Sequence, residues 1–174
     1  PLLWEGAGAP GLAYLRDGGL VDDTIRRFGL GWNPDWRRRD PARWGLDGPA
    51  VHLARGVVIP CSVAGVTWYV KIRCFDAWGQ PQKEAGRKYS APRKDPAASG
   101  GALFGADELK GDGRPLLLVE GERDAMLATQ ELGHLVDVAS LGGAGKRALG
   151  RWLPWFLPYR CILCLLYTSP SPRD

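Results

Sequence analysis

The spacing of hydrophobic and polar positions changes twice along this 174-residue chain. In the first forty residues, apolar side chains recur at helical spacing, which predicts two short helices. In the second of these, Asp22 is the expected N-cap and Gly29 the expected end. Residues 32–44 are then dense in Trp, Pro and Arg, which predicts an irregular loop.

An extended pattern begins near residue 56. Residues 56–61 and 66–73 are rich in β-branched and aromatic side chains, and a turn-forming Ala-Gly pair at 64–65 separates them. This arrangement predicts an antiparallel hairpin. Alternation along its second strand places Lys71 and Arg73 on one face, opposite an apolar face.

Positive charge is concentrated after this hairpin, in a predicted loop over residues 76–101. Between residues 71 and 94 there are seven Lys and Arg against two Asp and Glu, a local charge of +5 that exceeds the +4 of the whole chain. The segment is either an ordinary solvated loop or a surface for a polyanion, and charge alone leaves both readings open.

The second half of the chain changes to a strand–helix pattern. The apolar run 115–119 is typical of a strand that is buried on both faces. A composition shift near Gly111-Asp112-Gly113 predicts a boundary between domains over 1–112 and 113–165. The further predicted elements are a helix over 122–132, a strand over 135–141, a turn at 142–145, a helix over 146–153 and a strand over 159–165. This succession predicts a right-handed βαβαβ unit with a parallel sheet.

Composition excludes several classes of protein. At 45% hydrophobic residues the chain is neither a disordered tail nor a fibrous repeat. Four cysteines do not form a disulfide framework in a chain of this size, so we expect a reducing, cytoplasmic setting. We expect no secretory signal, and the most apolar stretch, residues 152–166, is too short and too interrupted by proline to span a bilayer.

Two acids follow the buried run at 115–119. Parallel sheets place ligands beyond the carboxyl ends of their strands, and Glu120 is the first residue past that end. Asp124 lies one helical turn further on, near the positive end of the predicted helix. The Glu120 carboxylate suits a divalent cation whose other ligands come from neighbouring strand ends and substrate phosphates, and Asp124 lies near the same edge. Both acids also suit ordinary positions in the first turn of a helix.

The residues around Glu120 resemble a known signature. The string Leu117–Ala125 is similar to the first motif of the Toprim domain, an apolar strand followed by Glu, Gly, two variable residues and Asp. Residues 138–142 resemble its second strand. Upstream segments follow the order of the catalytic core of bacterial and phage primases of the DnaG type, and the resemblance covers roughly residues 12 to 163. These segments are Tyr14-Leu15 to Gly19-Leu20, Thr24-Ile25, Phe28, Leu30-Gly31, Val58-Ile59-Pro60, Gly65, Lys71-Ile72-Arg73, Lys88-Tyr89 and Leu103-Phe104-Gly105.

The resemblance implies an α/β fold. A mixed α+β, basic N-terminal subdomain would precede a truncated Toprim domain with a Rossmann-like parallel sheet. It also implies a DNA primase, which synthesises short RNA primers on a single-stranded DNA template from ribonucleoside triphosphates. Glu120 and Asp124 would be catalytic, with Glu120 binding Mg²⁺ or Mn²⁺, and a replicative helicase would act in cis or in trans. Template or nucleotide phosphates would be held by Arg55, Lys71, Arg73, Lys88 and Tyr89.

One departure from the pattern concerns the third strand. The Asp-x-Asp pair that completes a Toprim metal site would fall near Leu166 and Thr168, which are not carboxylates. Residues 164–174 resemble a translated sequencing adapter, so we expect the natural sequence to leave this one near residues 163–165. We interpret residues 166–174 as a non-native tail and the chain as a truncated, inactive or weakly active part of a primase. Cys161 and Cys164 lie on opposite faces of a predicted strand and do not suggest zinc.

The sequence is also compatible with two rival functions. One is another Toprim enzyme, such as a nuclease or a topoisomerase. The other is a non-catalytic Toprim protein that binds nucleic acid, in which case binding would need neither a metal ion nor Glu120.

Overall fold

The computed structural model describes residues 2–44, 47–84, 88–91, 103–142 and 149–165. Contacts divide the chain into two compact units, residues 1–61 with 67–99 and residues 62–66 with 100–174. The division falls earlier than the composition shift near Gly111. The reason is local, because the backbone N–H groups of Lys110 and Gly111 both donate to the Asp137 carboxylate in the parallel sheet.

The two units differ in charge. The first contains 15 Lys and Arg against 10 Asp and Glu, a net +5, and the second contains 8 against 9, a net −1. The basic excess of the chain therefore belongs to the first unit.

The helices and strands are named here in chain order. The helices are α1 (Ala9–Asp17), α2 (Asp22–Arg27), α3 (Glu122–Leu132) and α4 (Leu149–Phe156), with short 3-10 turns at Leu2–Trp4, Gly6–Gly8, Pro41–Trp44 and Ala106–Glu108. The strands are β1 (Gly31–Asn33), β2 (Arg37–Arg39), β3 (Val51–Leu53), β4 (Gly56–Val63), β5 (Val66–Cys74), β6 (Tyr89–Ser90), β7 (Leu116–Val119), β8 (Asp137–Ser140) and β9 (Ile162–Leu165).

The two predicted N-terminal helices are present, but the predicted cap of the second is wrong. The residue before α2 is the extended Val21, and Asp22 is the first helical residue. Instead of capping the helix, the Asp22 carboxylate accepts two hydrogen bonds of 2.8 Å from the guanidinium of Arg16. These bonds lower the pKa of Asp22. Gly29 follows the end of α2 with a φ of +61°, as expected of a terminating glycine.

The irregular loop predicted over residues 32–44 is also wrong. This region contributes β1, which pairs with β4, and β2, which pairs with β3, both antiparallel. Each of these strands is three residues long and pairs with a partner distant in sequence. Local alternation therefore carries no signal for them, and long-range hydrogen bonding decides their conformation.

The predicted hairpin is confirmed. β4 and β5 are neighbours in a sheet of order β1-β4-β5-β6 and are joined by Ala64 and Gly65, both with positive φ. Two positive φ values in a two-residue connection favour the twist of an antiparallel hairpin. The turn belongs to the second unit, where the Asp107 carboxylate accepts hydrogen bonds from the N–H groups of Ala64 and Gly65.

Part of the predicted basic loop forms β-structure. β6 pairs antiparallel with β5, with Tyr89 opposite Arg73 and Ser90 opposite Ile72. An isolated bridge also joins Phe75 to Pro81. The loop prediction is therefore wrong for these residues. Arg87, Arg93 and Lys94 lie outside the described residues.

The second unit contains the predicted parallel sheet. Its order is β8-β7-β9, with β7 at the centre and all four of its residues buried. Both pairings of β7 are parallel and in register, so that Val119 lies opposite Ser140 on one side and Leu165 on the other. β8 and β9 are shorter than predicted, and α4 starts at Leu149 and extends to Phe156. The predicted helix start at 146 and turn residues 143–145 lie outside the described residues.

Each unit has its own apolar core. In the first, Phe75 is fully buried and meets the rings of Tyr14 and Trp32 edge-on, at centroid distances of 5.5 and 5.1 Å. In the second, residues of the sheet pack with Trp152 and Phe156 of α4. None of the described helices has the length and apolar character needed to cross a membrane.

Candidate active site

Glu120 lies where the sequence predicts, directly after the buried central strand β7. Its side chain is half-buried, and its carboxylate has no partner among the described residues. The helix α3 begins two residues later, with the carbonyl of Gly121 accepting the first helical hydrogen bond from Ala125. The carboxylate of Glu120 therefore lies at the carboxyl edge of a parallel sheet, where such sheets bind their ligands.

Ser140 fixes the backbone of Glu120 from the adjacent strand. Its side chain is fully buried, and its Oγ donates a 2.9 Å hydrogen bond to the carbonyl of Glu120. The same Oγ accepts a 3.0 Å hydrogen bond from the N–H of Gly142. The backbone of Ser140 is itself held by reciprocal hydrogen bonds of 2.8 and 2.9 Å with Phe104. One hydroxyl thus ties together the ends of β7 and β8.

Asp124 turns back toward the start of its helix. A Cβ atom placed on Gly121 would lie 3.1 Å from Oδ2 of Asp124, so this carboxylate occupies the space beside the glycine. Asp124 is exposed at the first turn of α3, where the helix dipole favours a negative charge. Glycine at position 121 therefore gives the Asp124 carboxylate room to lie at the same end of β7 as Glu120.

These two acids suit part of a magnesium site. Mg²⁺ takes oxygen ligands and is commonly held by one or two carboxylates together with substrate phosphates. Among the described residues, no group of three or more His, Cys, Asp or Glu side chains is placed to hold a metal ion. The positions expected to supply the Asp-x-Asp pair, Leu166 and Thr168, lie outside the described residues and are not acids. The described residues therefore supply only some of the ligands that a magnesium site needs.

A second group of predicted residues meets in the first unit, around the ring of Tyr89. We call Lys71, Arg73, Lys88 and Tyr89 the Tyr89 cluster. Lys71 Nζ lies 4.5 Å from the ring centroid, Arg73 Cζ 5.4 Å and Lys88 Nζ 5.9 Å. Lys71 and Arg73 therefore share one face of β5, which confirms the predicted alternation. Cations beside an aromatic ring suit the binding of phosphates and bases where they reach the solvent.

Within this cluster Arg73 is buried, with 5% of its surface exposed. Its Nη1 donates to the carbonyls of Gln82 at 2.7 Å and Lys88 at 2.9 Å, and its Nε donates to the hydroxyl of Tyr14 at 3.2 Å. The guanidinium thus fixes the chain on both sides of residues 85–87. The role predicted for Arg73 in binding template or nucleotide stays a prediction, whereas Lys88 is the exposed cation of the cluster.

Arg55 is the remaining predicted binding residue, and it contacts the turn that contains Ala77. Its Nη1 donates to the carbonyl of Ala77 at 3.0 Å, and its Cζ lies 6.0 Å from the ring centroid of Trp32. Its Nε is buried and has no hydrogen-bond partner among the described residues. Arg55 is half-buried, and its binding role also stays a prediction.

Sequence reasoning missed two residues that build these sites. Ser140 lies within the predicted second strand, but nothing in its local pattern shows that its hydroxyl reaches Glu120. Asp76 begins a turn in which its Oδ1 accepts from the N–H groups of Trp78 at 2.9 Å and Gln80 at 2.8 Å. The sequence Asp-x-Trp-Gly did carry a turn signal for this second feature.

The solved structures that match this chain agree on its fold. No family model and no curated protein matches the sequence. The RNA polymerase domain of Mycobacterium tuberculosis primase DnaG has a TM-score of 0.71 and 21% identity, over 97% of this chain and 62% of that chain. A DnaG primase catalytic domain bound to single-stranded DNA has a TM-score of 0.70 and 19% identity, over 99% of this chain and 58% of that one.

A third structure agrees with these two. The Aquifex aeolicus primase, containing zinc-binding and RNA polymerase domains, has a TM-score of 0.67 and 21% identity, over 95% of this chain and 43% of that chain. The chain therefore has the fold of a primase catalytic core. More particularly, it has the fold of the RNA polymerase domain of the DnaG type, and it spans 58–62% of the length of the first two of these structures.

Proposed function

We propose that this chain carries the catalytic core of a DnaG-type DNA primase, whose Toprim half contains Glu120 and Asp124. The full-length protein would join ribonucleoside triphosphates into short RNA primers on single-stranded DNA. The observation that carries this proposal is the position of Glu120 at the end of the central parallel strand, within a fold that matches DnaG polymerase domains over nearly the whole chain.

The chemistry of primer synthesis is consistent with the residues present. Phosphoryl transfer depends mainly on positioning and on neutralising negative charge. Mg²⁺ or Mn²⁺, when bound, would supply Lewis-acid stabilisation of the phosphates. Glu120 and Asp124 would hold that cation, while Lys88 and Lys71 of the Tyr89 cluster would hold phosphates of the template or the nucleotide. Because the Asp-x-Asp positions are Leu166 and Thr168, we expect the 174-residue chain alone to have little or no activity.

The first unit supports a nucleic-acid partner. Its net charge is +5, and its exposed Lys88 lies beside the ring of Tyr89. One of the structures with the same fold is bound to single-stranded DNA. We propose single-stranded DNA and ribonucleoside triphosphates as the partners of this protein, with a replicative helicase acting in cis or in trans.

A second candidate is a non-catalytic protein of the same fold that binds nucleic acid. The observation that favours it is the partial donor set, since the described residues contain no group of three metal-ligating side chains. In this case, binding of single-stranded DNA would need neither Mg²⁺ nor the carboxylate of Glu120.

The replacement Glu120→Gln separates the two candidates. In the full-length gene product that carries this sequence, we expect the variant to lose at least about 100-fold in template-directed ribonucleotide incorporation, because the charge at the metal site is removed. Glu131→Gln is the matched control, since Glu131 is an exposed carboxylate at the other end of the same helix, bonded to Gln130. Incorporation that is unchanged by Glu120→Gln would rule out the catalytic proposal, and DNA binding without incorporation would favour the second candidate.

A further inference from the structure

Trp78 is the most exposed of the large apolar side chains described, with 88% of its surface accessible. Single exposed apolar residues are common on proteins and usually require no explanation. Trp78 differs from these because it stands at the tip of a turn, residues 76–80, that is held by many contacts. We call this segment the Trp78 turn.

The Trp78 turn is closed by hydrogen bonds at its base. The N–H of Asp76 donates to the carbonyl of Gln80 at 2.9 Å, and Oδ1 of Asp76 accepts from the N–H groups of Trp78 and Gln80. Phe75 and Pro81 form a bridge directly below. None of these contacts uses the indole of Trp78, so the turn does not depend on that side chain.

Other residues of the first unit also contact the turn. Arg55 donates to the carbonyl of Ala77, and Gly79, with a φ of +79°, lies close enough to α1 that an added Cβ would be 3.1 Å from Pro10. Two separate segments thus fix the turn while its tip remains in solvent. A side chain presented on a fixed backbone loses less conformational entropy when it binds a flat partner.

The surroundings of the turn are cationic. The guanidinium of Arg73 donates to the carbonyl of Gln82, two residues beyond the turn. The N–H of Gln82 donates to the carbonyl of Cys74, whose own N–H donates to the carbonyl of Lys88, so hydrogen bonds connect the base of the turn to the Tyr89 cluster. Lys83 follows and is exposed. Over residues 71–84 and 88–91 there are four Lys and Arg against two Asp and Glu, in a unit of net charge +5. A partner for this tip must therefore combine a flat apolar face with negative charge, which describes an unpaired nucleobase on its phosphate backbone.

We infer that Trp78 is a stacking platform for an unpaired base of single-stranded DNA. This inference rests on the proposed function and extends it, because it names a contact outside the residues that carry the sequence resemblance. The Cα atoms of Arg73 and Trp78, five residues apart, are separated by at most about 18 Å, so a few nucleotides of one strand can contact both the Tyr89 cluster and the indole.

The test measures fluorescence anisotropy of a labelled 16-nucleotide oligothymidylate with the 174-residue chain and its variants. We expect Trp78→Ala to weaken binding by about 5- to 100-fold and Trp78→Phe to weaken it less, because base–aromatic stacking contributes this much per base. Leu157→Ala is the control, since Leu157 is an apolar side chain with 82% of its surface exposed in the second unit.

A strand of the same length that lacks bases separates stacking from phosphate binding. We expect Trp78→Ala to bind this abasic strand as the wild type does, and to keep the same dependence of affinity on salt. Equal affinity of wild type and Trp78→Ala for oligothymidylate would overturn the inference. It would favour a protein partner for Trp78 and would leave the proposed function in place. An equal loss on both strands would also overturn it. If the wild type bound neither strand, both the inference and the proposed function would fail.

Discussion

The hydroxyl of Ser140 donates a 2.9 Å hydrogen bond to the backbone carbonyl of Glu120, and so connects the end of β8 to the residue that follows β7. Ser140 is fully buried, and the same oxygen accepts from the N–H of Gly142. Its removal leaves a donor and an acceptor without their protein partner at the edge of the sheet where Glu120 lies.

We expect Ser140→Ala to lower the free energy of unfolding by about 1–3 kcal/mol, as is usual when buried polar groups lose a partner. Urea unfolding of the chain measures this change. Thr129→Val is the matched control, because the hydroxyl of Thr129 is buried and has no hydrogen-bond partner among the described residues, so its loss should be neutral or stabilising. Equal effects of the two replacements would show that the Ser140 hydrogen bonds contribute nothing.

Gly56 is predicted to tolerate no side chain. Its φ is +149°, and an added Cβ would lie 2.0 Å from the carbonyl oxygen of Arg73. We expect Gly56→Ala to destabilise the chain by about 3 kcal/mol or more, from backbone strain and steric overlap together. Gly150→Ala is the control, since Gly150 is the second residue of α4 and an added Cβ would have nothing within 4 Å. This replacement should leave the stability of the chain unchanged or slightly higher. A thermal melt of Gly56→Ala that coincides with the wild type would contradict the strand geometry.

How much of this could be read from the sequence depends on the range of the interactions. The β7–α3 connection and the position of Glu120 were predictable, because a continuous apolar run followed by a helical period is a local signal. The short strands β1 and β2 were not, since their residues pair with partners 12 to 27 positions away in the sequence. The pattern also placed Lys71 and Arg73 on one face, yet could not show that Arg73 is buried beneath Tyr89.

The burial of Tyr159 makes the stability of the chain depend on pH. Its hydroxyl donates a 2.5 Å hydrogen bond to the buried carboxylate of Asp137, and it accepts one of 3.2 Å from the N–H of Gly111. Burial, followed by the bond and charge of Asp137, raises the pKa of Tyr159 well above its ordinary value. Because the pKa in the folded state is raised, this stabilisation is present at pH values below the ordinary tyrosine pKa of about 10 and is lost as the pH rises above it.

We therefore expect the free energy of unfolding of the wild type to fall above about pH 10. In Tyr159→Phe this decrease should be smaller, because the variant has no hydroxyl to titrate at this position. At neutral pH, Tyr159→Phe should destabilise the chain by about 1–3 kcal/mol, because the Asp137 carboxylate loses a donor. Unfolding followed from pH 7 to pH 11 checks both statements. An identical pH profile for wild type and variant would show that Tyr159 does not titrate with an altered pKa.

The exposed cation of the Tyr89 cluster is predicted to contact phosphate. Each phosphate contact that is lost reduces the slope of log affinity against log salt by about 0.7 for single strands. We expect Lys88→Ala to weaken binding of oligothymidylate and to reduce the slope by this amount. Lys110→Ala, an exposed lysine in the second unit, is the control and should leave the slope unchanged. If Lys88→Ala left the slope unchanged, Lys88 would not be part of the proposed DNA-binding surface.

The most direct test of the primase proposal is the identity of the product. Full-length gene product carrying this sequence is incubated with single-stranded DNA, Mg²⁺ and labelled ribonucleoside triphosphates. We expect short, alkali-labile oligoribonucleotides whose formation needs the DNA, the metal ion and the Glu120 carboxylate. A protein that binds the DNA but forms no such product, or forms it equally well as Glu120→Gln, would contradict the primase proposal.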